Sequence, residues 1–205
     1  MREEILNLGR YRCRVLVNDV PGLPIVFLHG YSFTSSVWVD IGLLEQLERD
    51  KIPFIAIDMP YGIRSACSPR TPDPEENVHV VYETVHAFFG SSKPVVVGAS
   101  LGGYIALKYA AKHSSSGLML IAPVKVFDKA LVKWYRSYTN PVYIVVGTED
   151  DVIDINDMEK LAELFPNAKL ILYEGAKHPA YLDSPDRFRE DLGRLYREVV
   201  EPSRP

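Results

Sequence analysis

Cysteine is scarce in this 205-residue sequence, which contains only Cys13 and Cys67. Their spacing is not one that metal ligands use, so the cysteines predict no metal centre. We expect both to be reduced thiols of a cytoplasmic protein rather than a disulfide. Long apolar runs are also missing, since none approaches the roughly 18 residues that a membrane-spanning helix needs. The opening residues likewise lack the apolar stretch of a secretory signal.

An excess of basic residues is absent as well. The 23 Lys and Arg residues are outnumbered by 27 Asp and Glu residues, which gives a net charge of −4. This balance offers no electrostatic reason to expect a nucleic-acid partner. No repeat, low-complexity tract or linker divides the chain, and its length suits one domain over residues 1–205. The sequence carries no signal for an oligomeric state.

Short apolar runs alternate with segments of helical periodicity along the chain. This pattern predicts an α/β protein with an eight-stranded, mostly parallel sheet flanked by helices. We expect the strands at residues 5–8, 11–18, 25–28, 54–57, 94–97, 118–122, 142–146 and 169–173. We expect the main helices at residues 37–49, 75–89, 101–112, 156–164 and 185–200. Residues 125–140 leave room for one short helix, at about 128–135, but not for a cap domain.

The strongest motif is Gly98-Ala99-Ser100-Leu101-Gly102, which directly follows a predicted strand and precedes a helical pattern. A serine hydroxyl becomes a useful nucleophile when it projects from a rigid, sharp turn toward a base. The glycines on either side of Ser100 relieve the crowding that such a turn creates. The competing interpretations are a structural glycine-rich turn and a phosphate cradle at a helix N-terminus. The strand before the motif and the helix after it favour Ser100 as a nucleophile.

A base and an acid are expected in loops that follow later strands. His178 lies between the last predicted strand and the last predicted helix, and it is the predicted general base. Glu149, Asp150 and Asp151 follow the strand at residues 142–146, which gives the chain order serine, acid, histidine. The acid would hold the imidazole in the correct tautomer. Chemistry alone leaves the choice among the three acids open.

An oxyanion hole needs backbone N–H groups aimed at the negative charge that develops on the substrate. We expect one from Leu101, which follows the nucleophile. The other should come from the turn that begins with His29 and Gly30. The N–H of Tyr31 is the predicted second donor, with Ser32 as the alternative. His29 itself is expected to shape this loop.

Together these residues resemble the α/β-hydrolase superfamily over nearly the whole chain. The His-Gly-x turn at residues 29–31 matches its pattern, and residues 58–65 approximate its Asp-x-Pro-Gly-x-Gly-x-Ser motif with Tyr61 in place of a glycine. The chain is also similar to a small lid-less group that includes abhydrolase domain-containing protein fourteen, through residues 29–38, 122–124 and 175–183. The superfamily places its acid three residues after the glycine that ends strand seven, which implies Asp150 rather than Asp151.

The resemblance implies a serine hydrolase that needs no metal or cofactor. Its expected substrates are small molecules, short-chain carboxylic esters, which it would cleave through an acyl-serine intermediate. Thioesters, amides and acetyl-lysine are alternative substrates, and a non-catalytic ligand-binding protein is the alternative of another class. Without a cap, the pocket walls are expected to be Tyr31, Phe33, Met59, Val124 and Trp134. Packing on the sheet explains Trp134 equally well. Such an open pocket predicts a preference for short acyl chains.

Overall fold

The computed structural model describes residues 1–201 and contains one central sheet flanked by helices. The strands are β1 Arg2–Leu8, β2 Tyr11–Asn18, β3 Ile25–Leu28, β4 Phe54–Ile57, β5 Cys67–Ser68, β6 Val95–Ala99, β7 Gly117–Ile121, β8 Val142–Gly147 and β9 Ala168–Tyr173. The helices are α1 Val37–Asp40, α2 Leu43–Arg49, α3 Pro74–Phe89, α4 Leu101–His113, α5 Lys129–Tyr135, α6 Ile155–Leu164, α7 Ala180–Asp183 and α8 Pro185–Val200.

Eight strands follow one another across the sheet in the order β1-β2-β4-β3-β6-β7-β8-β9, and the short β5 pairs with β2. From β4 to β9 every neighbouring pair is parallel, whereas β2 is antiparallel to both β1 and β4. All residues of β3, β4, β6, β7 and β8 are buried. This burial is expected where helices cover both faces of a parallel sheet.

Two apolar clusters fill the faces of the sheet. One includes Val81 of α3, Ile105 of α4 and Leu161 of α6, and the other includes Trp38 of α1 and Phe188 of α8. Burying one such side chain contributes about 1.5–3 kcal/mol. The two clusters therefore hold the helices in place, and with them the loops at the carboxyl edge of the parallel strands.

The predicted α/β sheet of eight strands is confirmed, and β5 is an addition that the sequence did not predict. Residues 37–49 form two helices rather than one, because Gly42 adopts a left-handed conformation with φ of +67° between α1 and α2. The segment between β7 and β8 holds the one short helix expected there, α5. No helix within residues 1–201 is both long and apolar enough to cross a membrane.

The expectation of reduced thiols is wrong in this structure. Cys13 of β2 and Cys67 of β5 face each other across the strand pair and are joined by a disulfide. The two positions are separated by 54 residues, and β5 has only two residues, which is too short to show a strand pattern in the sequence. The disulfide removes one ground for expecting a cytoplasmic protein, and that location stays a prediction.

Candidate active site

Ser100 occupies a sharp turn between β6 and α4. Its φ of +53° lies in the left-handed region that residues other than glycine rarely adopt. The Ser100 N–H donates to the Ile121 carbonyl at 2.8 Å, which anchors the turn to β7. A Cβ on Gly98 would collide with the backbone of Gly102, and a Cβ on Gly102 would collide with the backbone of Leu28. The turn therefore requires both glycines, and the surrounding sheet maintains its strained backbone.

The structure brings Ser100, Asp150 and His178 together in one hydrogen-bonded line. His178 Nε2 lies 2.9 Å from Ser100 Oγ, and His178 Nδ1 lies 2.9 Å from Asp150 Oδ2. Because a carboxylate only accepts hydrogen bonds, Nδ1 carries the proton and Nε2 presents its lone pair to the serine O–H. The Asp150 side chain is fully buried and that of His178 is 21% exposed. Water therefore does not compete for the carboxylate.

Asp150, and not Asp151, meets the histidine. Its Oδ1 accepts the N–H groups of Val152 and Ile153 at 2.8 and 2.9 Å, which leaves Oδ2 for His178. Asp151 is exposed to solvent, as is Glu149. The two backbone donors fix the rotation of the Asp150 carboxylate and so fix the direction in which it holds the imidazole.

The acid loop and the histidine loop are tied to each other beyond the triad. The Glu149 N–H donates to the Ala176 carbonyl at 2.9 Å, and the Gly175 N–H donates to Thr148 Oγ1 at 2.8 Å. The loops cross so closely at Gly147 that any Cβ there would overlap the Ala176 carbonyl. These contacts hold the two loops in one register, so the imidazole stays within reach of both partners.

The predicted oxyanion donors lie on either side of Ser100. Leu101 is the first residue of α4, and Gly30 lies against the serine, since a Cβ on Gly30 would be 3.9 Å from Ser100 Cβ. The N–H groups of Tyr31 and Leu101 have no hydrogen-bond acceptor within residues 1–201. The N–H of Ser32 is likewise unpaired there, so pairing alone leaves both loop donors open.

A cavity of about 380 Å³ has no triad side chain in its lining, but several of its lining residues are hydrogen-bonded to triad residues. Its wall begins at Val124, whose N–H donates to the Ser100 carbonyl at 3.3 Å, and reaches Val152 and Ile153, which bind the Asp150 carboxylate. Its lining comes from the start of α4, the loop after β7, the loop after β8 and α6: Tyr104, Pro123, Val124, Lys125, Val126, Phe127, Asp128, Val152, Ile153, Asp154, Asp157 and Met158.

The predicted pocket walls are only partly brought to this site. Val124 lines the cavity, Phe33 packs against Gly30, and Tyr31 is 47% exposed. Met59 is fully buried in the core and has no surface left for a substrate. Trp134 packs on Tyr135, Tyr138 and Phe165 and is not part of the cavity lining, as the alternative interpretation expected.

Sequence reasoning missed the apolar mouth of the cavity. Phe127 is 44% exposed and Val152 is 61% exposed, and both line it. Large apolar side chains seldom face water without a reason when they surround a cleft. Their exposure is a property of the folded chain, and each stands in a short loop without periodicity, so no sequence signal could have marked them.

The charged side chains that line the cavity interact with other groups of the protein. Asp128 accepts the Ala130 N–H at 2.9 Å and the Tyr104 hydroxyl at 3.2 Å, and these bonds lower the pKa of its carboxyl. Burial raises the pKa of the Tyr104 hydroxyl. The Lys125 ammonium lies 5.5 Å from the centre of the Tyr104 ring, a cation–π contact. The cavity lining therefore combines apolar side chains with charged groups of both signs.

Two family models match this chain. That of the alpha/beta hydrolase family covers residues 25–141, which is more than half of the chain, and that of the alpha/beta hydrolase fold covers residues 122–185. The chain belongs to the alpha/beta hydrolase family. Ser100 lies within the first match and Asp150 and His178 within the second, so the matched regions contain the whole hydrogen-bonded line.

This hydrolase is similar to two vertebrate proteins. It is 31% identical to ABHD14B of Pongo abelii over 82% of this chain and 80% of that protein. The name of ABHD14B describes a candidate protein-lysine deacylase. It is 29% identical to ABHD14A of Danio rerio over 84% of this chain, and it spans only 64% of the length of that relative.

Solved structures share the fold of this hydrolase. A predicted CIB-like hydrolase from Thermoplasma acidophilum superposes with a TM-score of 0.86 at 24% identity, over 97% of this chain and 98% of that one. Est1E from Butyrivibrio proteoclasticus, solved with ferulic acid, has a TM-score of 0.80 at 15% identity, over 96% of this chain and 99% of that one. At these identities the likeness concerns the fold alone.

Proposed function

We propose that this hydrolase cleaves short-chain carboxylic esters through a covalent acyl-serine intermediate. Ser100 is the nucleophile, His178 the general base and Asp150 the acid that orients it. The observation that carries the proposal is the line from Asp150 Oδ2 through His178 to Ser100 Oγ, with 2.9 Å at each contact. An alkoxide-forming serine needs such a base within hydrogen-bond reach.

The proposed reaction runs in two halves. Ser100 Oγ attacks the ester carbonyl while its proton passes to His178 Nε2, and the carbonyl oxygen becomes negative. The N–H groups of Tyr31 and Leu101 stabilise that oxygen. The tetrahedral intermediate collapses, the C–O bond to the alcohol breaks, and His178 returns the proton to the departing alcohol. Water then repeats the sequence on the acyl-serine and releases the carboxylic acid and Ser100.

The size of the cavity supports a short acyl chain. The segment between β7 and β8 contains only the seven-residue α5 and therefore offers no second layer to enclose a long chain. The apolar lining at Val124, Phe127 and Val152 has exposed surface that can bury a few methylene groups. Each buried methylene gains about 0.8 kcal/mol, and each that protrudes into water gains almost nothing.

The test is a panel of 4-nitrophenyl esters from acetyl to dodecanoyl, run with Ser100→Ala and with Ser116→Ala as the matched control. Ser100→Ala should lower kcat by about 10⁶-fold. Ser116 hydrogen-bonds the Lys93 carbonyl far from the triad, and its variant should keep wild-type rates. His178→Ala should be nearly as damaging as Ser100→Ala, and the double variant little worse than either. Activity of Ser100→Ala above about one per cent would sink the assignment.

A second candidate, acyl transfer from an amide or thioester, is favoured by one observation. ABHD14B is named for deacylation of lysine side chains, and this chain resembles it over most of both lengths. The same triad would attack an acetyl-lysine amide by the same steps. Acetyl-lysine peptides and acyl thioesters added to the panel decide between the candidates by their kcat/KM. A purified protein that reacts with neither the panel nor a fluorophosphonate probe would indicate a non-catalytic binding protein.

A further inference from the structure

A buried histidine stands behind the loop that carries the Tyr31 N–H. His29 is fully buried, with Nδ1 2.7 Å from the Gly30 carbonyl oxygen and Nε2 2.9 Å from the Met59 nitrogen. A carbonyl only accepts and a backbone N–H only donates. The ring is therefore neutral, and its Nδ1–H donates to Gly30 while its Nε2 accepts from Met59. Burial lowers the pKa of His29, which is consistent with this neutral form.

The Gly30 carbonyl belongs to the same peptide unit as the Tyr31 N–H. In a trans peptide the C=O and N–H bonds point in opposite directions, so a contact that fixes the carbonyl also aims the N–H. Two donors fix this carbonyl: the His29 ring and the Phe33 N–H at 3.1 Å. The backbone of Gly30 lies directly against Ser100. The aimed N–H therefore belongs to a loop peptide that adjoins the nucleophile.

The loop after β4 forms further hydrogen bonds to the residues on either side of Gly30. The Ile63 N–H donates to the Tyr31 carbonyl at 2.9 Å, and the Tyr61 hydroxyl donates to the His29 carbonyl. The Met59 N–H donates to the His29 ring, as described above. The loop after β3 is thus bonded on both sides of Gly30 to one neighbouring loop, and the imidazole is the side-chain bridge between them.

We propose that His29 is a positioning residue for the oxyanion hole: its Nδ1–H sets the Gly30 carbonyl and thereby aims the Tyr31 N–H at the oxygen that becomes negative when Ser100 attacks. The inference rests on the proposed function. His29 acts through a peptide unit and contacts neither Ser100 nor the substrate. Removing one oxyanion donor costs about 10²–10³ in kcat, which bounds the effect of misaiming it.

The test compares His29→Leu with His29→Asn. Leucine fills similar space without a donor, whereas the asparagine side chain can still donate an N–H toward the Gly30 carbonyl. We expect His29→Leu to lower kcat by about 10²-fold, with KM changed less than about threefold, and His29→Asn to stay within about tenfold of wild type. The difference between the variants isolates the hydrogen bond from the volume of the ring.

The inhibition constant of a boronic acid separates a damaged oxyanion hole from a general loss of structure. Its tetrahedral adduct with Ser100 places an oxygen in the oxyanion hole. In His29→Leu the inhibition constant of the boronic acid should rise by the factor by which kcat/KM falls, while that of the alcohol product stays constant. A fall in kcat with unchanged boronic-acid binding would overturn the proposal, as would full activity of His29→Leu.

Should His29→Leu fail to fold, ¹⁵N NMR of the wild-type imidazoles tests the same claim. His29 must be the neutral Nδ1–H tautomer at the pH of the assay, and the Nε2–H tautomer would overturn the proposal. Failure of the proposed function is a separate result, because the wild-type protein would then cleave no ester and its Ser100 would not react with a fluorophosphonate. An active wild type with insensitive His29 variants refutes only the positioning role.

Discussion

Replacing Asp150 with asparagine changes one atom of the site and disrupts the whole hydrogen-bonded line. The N–H groups of Val152 and Ile153 donate to Asp150 Oδ1. The asparagine carbonyl oxygen must therefore take that place, which leaves its NH₂ group facing His178 Nδ1. Two donors cannot pair, so His178 adopts the tautomer with its proton on Nε2. Ser100 then has no acceptor for its proton.

The expected loss is on the order of 10⁴ in kcat, the cost of the wrong tautomer in a serine protease triad. This corresponds to about 5 kcal/mol of transition-state stabilisation. KM should change little, because the buried carboxylate has no surface for the substrate. Asp151→Asn is the matched control, since it makes the same chemical change in the exposed neighbour. Its loss should stay below about tenfold.

Initial rates with 4-nitrophenyl butyrate measure both variants, and thermal unfolding followed by circular dichroism confirms that each is folded. The rate of fluorophosphonate labelling at Ser100 should fall in parallel with kcat, because both reactions need the same base. The reverse ranking of the two variants would move the acid to Asp151. An Asp150→Asn variant within about tenfold of wild type would refute the tautomer argument altogether.

Three further outcomes follow from the structure. Catalytic efficiency should rise about fourfold per methylene from acetyl to butyryl or hexanoyl esters and then level; a preference for decanoyl esters below their micelle concentration would contradict the open cavity. Reducing the Cys13–Cys67 disulfide, which spans 54 residues, should lower the free energy of unfolding by about 4 kcal/mol from loop entropy; an unchanged denaturant midpoint would show that the bond adds no stability. Burial lowers the pKa of His29 from its ordinary 6.5, so below pH 6.5 the unfolded chain binds more protons and stability falls by up to about 1.4 kcal/mol per pH unit. His29→Asn should remove that part of the slope, and identical slopes in urea melts would exclude it.

The sheet could be predicted because its strands carry a local signal. β3, β4 and β8 are short runs of apolar residues, and burial on both faces leaves no other composition open to them. The positions of Ser100 and His178 followed from the same signal, since each stands in a loop at the end of such a strand. The prediction used the order of strands, helices and loops along the chain. That order decides which strand ends lie close together.

The remaining features depend on contacts between distant segments. The pairing of β5 with β2 joins residues 54 positions apart, and nothing near Cys67 indicates its partner. Met59 was expected to form a pocket wall in the absence of a cap, yet its side chain turns into the core. In an irregular loop, no repeating sequence pattern indicates the direction of a side chain. The sequence could therefore place Met59 at the correct edge of the sheet but could not predict whether its side chain is buried.

In the proposed mechanism, the two sides of Ser100 have different tasks, and the strand order separates them. Its strand, β6, lies between β3 and β7. The loop after β3 carries Tyr31 and the His29 ring, whereas the loop after β7 carries Val124 and the cavity wall. A substrate carbonyl whose oxygen points to the β3 side must therefore extend a substituent toward the β7 side. Changes at residues 122–128 should then alter which esters are accepted, while changes around His29 should slow every substrate by a similar factor. Substrate selection and stabilisation of the oxyanion are thus separated because β6 lies between β3 and β7 in the sheet.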